Sequence, residues 1–153
     1  MSETTTDLKL MALDGEDLAV VSAHVQDALV RRGDIAYLAG KKRFALGAWR
    51  YDWTANATAG RKERVGAALR FDRVMKVAQV GLAGLKPETP LNLLAVSFEE
   101  NDPPAGTVTL TFSGGAAIRL DVECLEAELR DLGPRQEVAI CPGHALADEP
   151  ETG

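Results

Sequence analysis

Residues 107–120 constrain this chain more than any other stretch. Val108, Leu110 and Phe112 alternate with Thr107, Thr109 and Thr111, and Ala116, Ile118 and Leu120 resume the apolar parity after Ser113-Gly114-Gly115. A side-chain period of two sends alternate residues to opposite faces, so this is a hairpin with one apolar and one hydroxyl face. Such a hairpin needs antiparallel neighbours to cover its apolar side. Strand-like punctuation extends from residue 34 to about 119. Segments 35–38 and 43–53 flank Ala39-Gly40-Lys41-Lys42, which reads as a hairpin turn. Segment 65–80 is one long bent strand or two short ones, and 91–98 is a strand bounded by prolines. Within 43–53, Phe44 and Leu46 share one parity, and Trp49, Tyr51 and Trp53 share the other. That predicts a β-bulge near Gly47-Ala48, with a strand buried on both faces as the alternative.

Helical signals stand at both ends of this β-region. Residues 8–13 read as a short strand, and Asp14 suits a helix N-cap, with Glu16 and Asp17 favourably placed in the first turn. Leu18, Val21, Val25, Ala28 and Leu29 give an apolar face to about Val30, and Gly33 terminates it. His24, at the edge of that stripe, reads as a boundary residue rather than a ligand. Asp121 offers a cap for a second helix over 121–132, with Val122, Leu125, Leu129 and Leu132 as its stripe, Glu126 and Arg130 as a supporting pair, and Gly133-Pro134 as its stop. The expected fold is α+β: an antiparallel meander or roll of about 6–7 strands, with an N-terminal helix and a closing C-terminal helix. By analogy this is the pattern of pleckstrin-homology-like barrels. A length of 153 residues fits one domain, placed at 8–133, with flexible tails at 1–7 and 134–153 and only Val138-Ala139-Ile140 as a further strand.

The formal charge of −6 conceals a strong asymmetry. Residues 31–76 carry 12 of the 17 basic residues and a net +8, and they hold every Trp and Tyr: Tyr37, Trp49, Tyr51 and Trp53. Basic side chains interleaved with aromatics suit a surface that stacks rings and neutralises anions. On that ground Lys41, Lys42, Arg43, Trp49, Arg50, Tyr51, Trp53, Arg61, Lys62 and Arg64 are the candidate ligand- or partner-binding residues. The competing reading puts the aromatics in a barrel interior, makes Lys41 and Lys42 a solvated hairpin tip, and lets Glu123, Glu126 and Glu128 neutralise the basic strands within the molecule. Overall negative charge disfavours duplex nucleic acid, which needs many uncompensated phosphate contacts.

Known catalytic templates are missing: the chain has no nucleophile elbow, phosphate-binding loop, dinucleotide fingerprint or zinc-protease motif. Cys141 and His144 come nearest to a site, but two ligands in a Pro/Gly-rich segment do not make a structural zinc centre. No catalytic, metal or cofactor set is expected, and Cys124 reads as a free thiol. Neither a membrane-length apolar run nor a secretory leader is apparent, so a cytoplasmic protein is expected.

The blocks 8–14, 17–28, Lys42-Arg43-Phe44-Ala45-Leu46 and 107–133 together resemble a bacterial family, mainly alphaproteobacterial, catalogued as domain of unknown function 2948 (DUF2948). The resemblance spans nearly all of the chain outside its tails. It implies no activity, and no functional residue is carried over from it. The expectation is therefore a small non-enzymatic module that binds a protein partner, or itself, through the basic aromatic β-surface of residues 31–76. The alternatives are a binder of an anionic small molecule or single-stranded nucleic acid, and an enzyme whose site no motif reveals. No membrane association is expected.

Overall fold

The computed structural model describes residues 7–137. β1 (Lys9–Ala12) leads into α1 (Gly15–Val25), followed by β2 (Ala28–Arg31), β3 (Ile35–Leu38), β4 (Arg43–Tyr51), α2 (Trp53–Ala59), β5 (Glu63–Phe71), β6 (Val74–Val80), β7 (Pro90–Asp102), β8 (Ala105–Phe112), β9 (Ala117–Val122) and β10 (Ala127–Glu137). The ten strands form one antiparallel sheet in the order β1-β10-β5-β4-β2-β7-β8-β9-β6, with β3 also paired to β4. β9 and β10 are consecutive in the chain, yet they stand near opposite ends of this path. Four residues join them, so the sheet curls through most of a turn to bring them together. Main-chain bonds from Glu123 N to Arg73 O (3.0 Å) and from Asp72 N to Glu126 O (2.9 Å) stitch the corner between β9–β10 and β5–β6. One apolar cluster fills the roll, with contributions from α1 and nearly every strand.

This architecture overturns the expected α+β fold of about 6–7 strands with a closing C-terminal helix. The protein is mostly β, and residues 121–132 belong to the end of β9, a corner and β10. The helical stripe failed at Leu132, which is 65% exposed. Ala127, Leu129 and Asp131 alternate inward instead, and a carboxylate in the third inward position disguises the period of two. Gly133-Pro134 does not stop the element. Residues 132–134 together oppose Gly66 alone, between the pairs Asp131–Ala67 and Arg135–Val65, and a bulge is where a strand tolerates proline. β10 therefore runs past residue 133, while 138–140, Cys141 and His144 lie outside the described residues.

Three local expectations also change. α1 stops at Val25, because Asp27 takes a left-handed backbone (φ 63°) and donates its N–H to Leu93 O, which frees residues 28–31 to pair with β7 and β4. The register of β4 against β5 is unbroken from Phe44 to Tyr51, so no bulge lies at Gly47-Ala48. Phe44, Leu46, Ala48 and Arg50 face inward, and Tyr51, of the other parity, is also fully buried. The chain leaves β4 at Asp52, whose Oδ1 accepts from Ala55 N (2.9 Å) and caps α2, a helix the apolar pattern did not announce. Segment 65–80 takes the second of its two expected forms, two strands, β5 and β6, broken at Asp72-Arg73.

The N-terminal cap forms as expected: Asp14 Oδ1 accepts from Asp17 N at 2.8 Å. Leu18, Val21 and Val25 seat α1 on the roll, and Ser22 Oγ accepts Val96 N of β7 (2.9 Å). Losing the cap carboxylate removes one of the few acceptors for the unpaired N–H groups of the first turn. Asp14→Ala should therefore lower stability by about 1 kcal/mol in urea denaturation, and Asp14→Ser should retain most of it.

Candidate functional site

At one end of the roll the inward-facing positions change from apolar to charged. Arg50 follows Phe44, Leu46 and Ala48 on the inner face of β4, and Asp131 follows Ala127 and Leu129 on β10. Arg50, only 3% exposed, donates from Nε to Asp131 Oδ1 (2.7 Å) and from Nη2 to Oδ2 (2.8 Å). This is the bidentate fork that makes arginine–carboxylate pairs both strong and directional. Oδ2 also accepts Leu8 N (2.8 Å), while Asp131 N donates to Leu8 O (2.8 Å), so the N-terminal segment clamps the pair. A second network adjoins it. Arg135 Nη1 donates to Asp52 Oδ2 and to Glu63 Oε1, each at 2.9 Å, and Arg61 Nε lies 3.7 Å from Glu63 Oε2.

Both networks border an open cavity of about 320 Å³, lined by His24 from α1, Arg50 and Asp52 from β4 and its exit, Thr54 and Thr58 from α2, Arg61, Arg135 from β10, and Asp7 and Leu8. Its ionisable groups are perturbed. Burial and the Arg50 charge hold the His24 imidazole below its ordinary value, against the opposing pull of Asp131 and Asp52. Burial would raise the Asp52 carboxyl, but the Ala55 N–H, the Arg135 guanidinium and the Arg50 charge outweigh it and leave that carboxyl lower than usual. Burial likewise works against protonated Arg135, yet the bonds and charges of Asp52 and Glu63 raise its pKa. Shifted groups converging in a cleft are a physical mark of function.

The candidate residues named from sequence are dispersed by the fold. Arg50 and Arg61 come together at this cavity. Lys42, in a left-handed conformation at the β3–β4 tip, lies 4.0 Å from Glu123, and Arg43 pairs with Asp72 at 2.7 Å. Arg64 donates to the main-chain oxygens of Trp49 (2.9 Å) and Asp27 (3.2 Å). Lys41 and Lys62 are exposed. Trp49 and Trp53 are half-buried, and the Trp53 ring meets the buried Tyr51 ring edge-on, with centroids 4.6 Å apart. Among the described residues, most cations of the basic segment are thus matched within the chain. Glu123, Glu126 and Glu128 contribute to that matching, from the corner and β10 rather than from a helix.

Asp52, Asp131 and Arg135 were not singled out from the sequence, in which His24 reads as a boundary residue rather than a ligand. The available signal was parity: an arginine in register with Phe44, Leu46 and Ala48 occupies a core position, and a charged core position demands a partner. Finding Asp131 as that partner required recognising β10 as a strand.

A family model described as "Protein of unknown function (DUF2948)" matches residues 8–144, most of the chain, and the protein belongs to that family. No curated protein and no solved structure matches it.

Proposed function

We propose that this DUF2948 protein is a binding module for a small carboxylate-bearing anion, which it holds in the cavity between α1, β4, α2 and β10. The buried Arg50–Asp131 pair carries this reading. Two charges set into core positions cost several kcal/mol each in desolvation, and well-packed apolar residues there would stabilise the roll as well or better. The carboxylates of Asp52, Glu63 and Asp131 are spent on arginines and main-chain N–H groups, and the exposed Asp7 carboxylate stands at the rim. Among the described residues Arg50 Nη1 and the Nε and Nη2 of Arg135 make no hydrogen bond, so the unspent capacity is largely that of donors. Guanidinium groups fixed by carboxylates meet a carboxylate ligand with little left to reorganise. The reading sets the protein in a bacterial cytoplasm, with Cys124 as a reduced thiol; among the described residues no helix is long and apolar enough to cross a membrane.

Titrating the full chain with acetate, succinate, inorganic phosphate and a single-stranded oligonucleotide, followed by amide chemical shifts, tests this. Acetate or succinate should move resonances around Arg50, Thr54 and Arg135. Arg61→Ala, at an exposed rim position, should weaken binding by about tenfold, the size of a hydrogen bond to a charged group. Oligonucleotide binding that depends on Lys41 and Lys62, with no carboxylate response, would replace this reading with a surface one.

A further inference from the structure

The charge around the cavity limits what can enter it. Arg50, Arg61 and Arg135 face the carboxylates of Asp7, Asp52, Glu63 and Asp131, either as co-lining residues or as direct partners. With a neutral imidazole at His24, this set carries one net negative charge. An entering anion makes it two, in a volume walled by protein where like charges repel more strongly than in water. The Asp52 carboxyl, held by Ala55 N and the Arg135 guanidinium, lies lower than usual and does not readily give up its charge.

One group at the cavity is of the type whose unperturbed charge change lies near neutral pH. His24 projects from the last turn of α1, where the helix dipole favours a cation, and it borders the same space as all three arginines. We infer that the cavity takes up its carboxylate ligand together with one proton, carried by the His24 imidazole, and that the preferred ligand is a monoanion. This rests on the anion-binding reading above and adds a coupling to it.

The sign follows from the surroundings. Around His24 stand Arg50 from β4, Asp131 from β10, Asp52 at the start of α2 and Asp7 from the N-terminal segment. In the free protein, burial and Arg50 keep the ring neutral at pH 7. A bound carboxylate adds a negative charge beside the ring and favours its protonated form. Affinity is therefore flat at high pH, rises as pH falls through the pKa of the bound state, and levels off below that of the free state. The total rise is about tenfold for each unit separating the two values. A dianion such as succinate at neutral pH leaves one negative charge uncompensated after the same proton is taken up, so it binds less tightly than acetate.

Ring-proton NMR of the full chain, with saturating sodium acetate compared against sodium chloride at equal ionic strength, reads the coupling directly. His144, the other histidine of the sequence, is assigned through a His144→Gln protein. The expected result is an upward shift of the His24 titration in acetate, and acetate affinity that increases several-fold from pH 7.5 to pH 5.5. His24→Gln flattens that pH profile. Acetate binding with an unmoved His24 titration and a flat profile overturns the proton coupling but leaves the anion site standing. No acetate or succinate response anywhere between pH 5.5 and 8 overturns both.

Discussion

Asp131→Ala should destabilise the protein by about 3–5 kcal/mol, among the largest effects open to a single substitution outside the apolar core. The side chain of Asp131 is fully buried, and it neutralises Arg50 through both oxygens. Removing it leaves a nearly buried guanidinium without its counter-charge, and Leu8 N loses its acceptor as well. The double substitution Arg50→Met with Asp131→Leu should regain most of that loss, because it removes both charges and restores apolar packing; the Leu8 N–H remains the one group left short. Urea denaturation of the two proteins makes the comparison. A loss below about 1 kcal/mol for Asp131→Ala would mean that the Arg50 charge needs no built counter-charge, and would remove the main support for a purpose-built site. The double variant should meanwhile fold well and fail to bind acetate, which separates the role of the pair in function from any role in stability.

The second large effect lies at Gly66. A Cβ built there stands 2.6 Å from the carbonyl oxygen of Gly133, which is backbone and has little freedom to withdraw. The bulge of residues 132–134 folds across β5 at this one point, and a methyl group forces it outward. Gly66→Ala should cost about 1–3 kcal/mol, the range typical of overpacking. It should also weaken carboxylate binding, because Arg135 follows the bulge directly and depends on it for its reach to Asp52 and Glu63. Gly47→Ala is the matched control. The nearest atom to its Cβ is Asp34 Cβ at 3.7 Å, an ordinary contact, so the gain in chain stiffness should leave that variant neutral or slightly stabilised. Thermal denaturation of the two proteins should show shifts of opposite sign or very unequal size.

The β-character of the middle of the chain was legible because its strands display one wet and one dry face. Thr107, Thr109 and Thr111 against Val108, Leu110 and Phe112 announce β8 without ambiguity, and residues 35–38 and 43 onward announce the β3–β4 hairpin. Legibility failed where charged residues face inward. Arg50 and Asp131 occupy positions that a reader of alternation expects to be apolar, so β4 suggested a bulge and β10 suggested a helix. The candidate site shows the same pattern from the other side. Arg50 and Arg61 were recognised as basic residues, but as parts of a surface: Asp131, the partner that holds Arg50, lies 81 positions away, and Arg61 reaches Glu63 beside an Asp52–Arg135 bond whose ends are 83 positions apart. Electrostatic pairing over such separations leaves no periodic trace in a sequence. Aromatic placement misled for a related reason: Tyr51 is buried where β4 gives way to α2, a change of direction signalled only by the capping Asp52.

The bonds between Leu8 and Asp131 span 123 positions, and they have a consequence for the order of events during synthesis. β1 leaves the ribosome well ahead of β10, its strand partner among the described residues. Until β10 emerges, β1 and the outer edge of β5 have nothing to pair with, and the guanidinium of Arg50 has no carboxylate. The nascent chain therefore carries an open, incompletely paired sheet for as long as β2 to β9 are being made, the condition in which β-rich chains are most exposed to aggregation. Closure arrives only with β10, whose Asp131 and Arg135 also complete the networks beside the cavity.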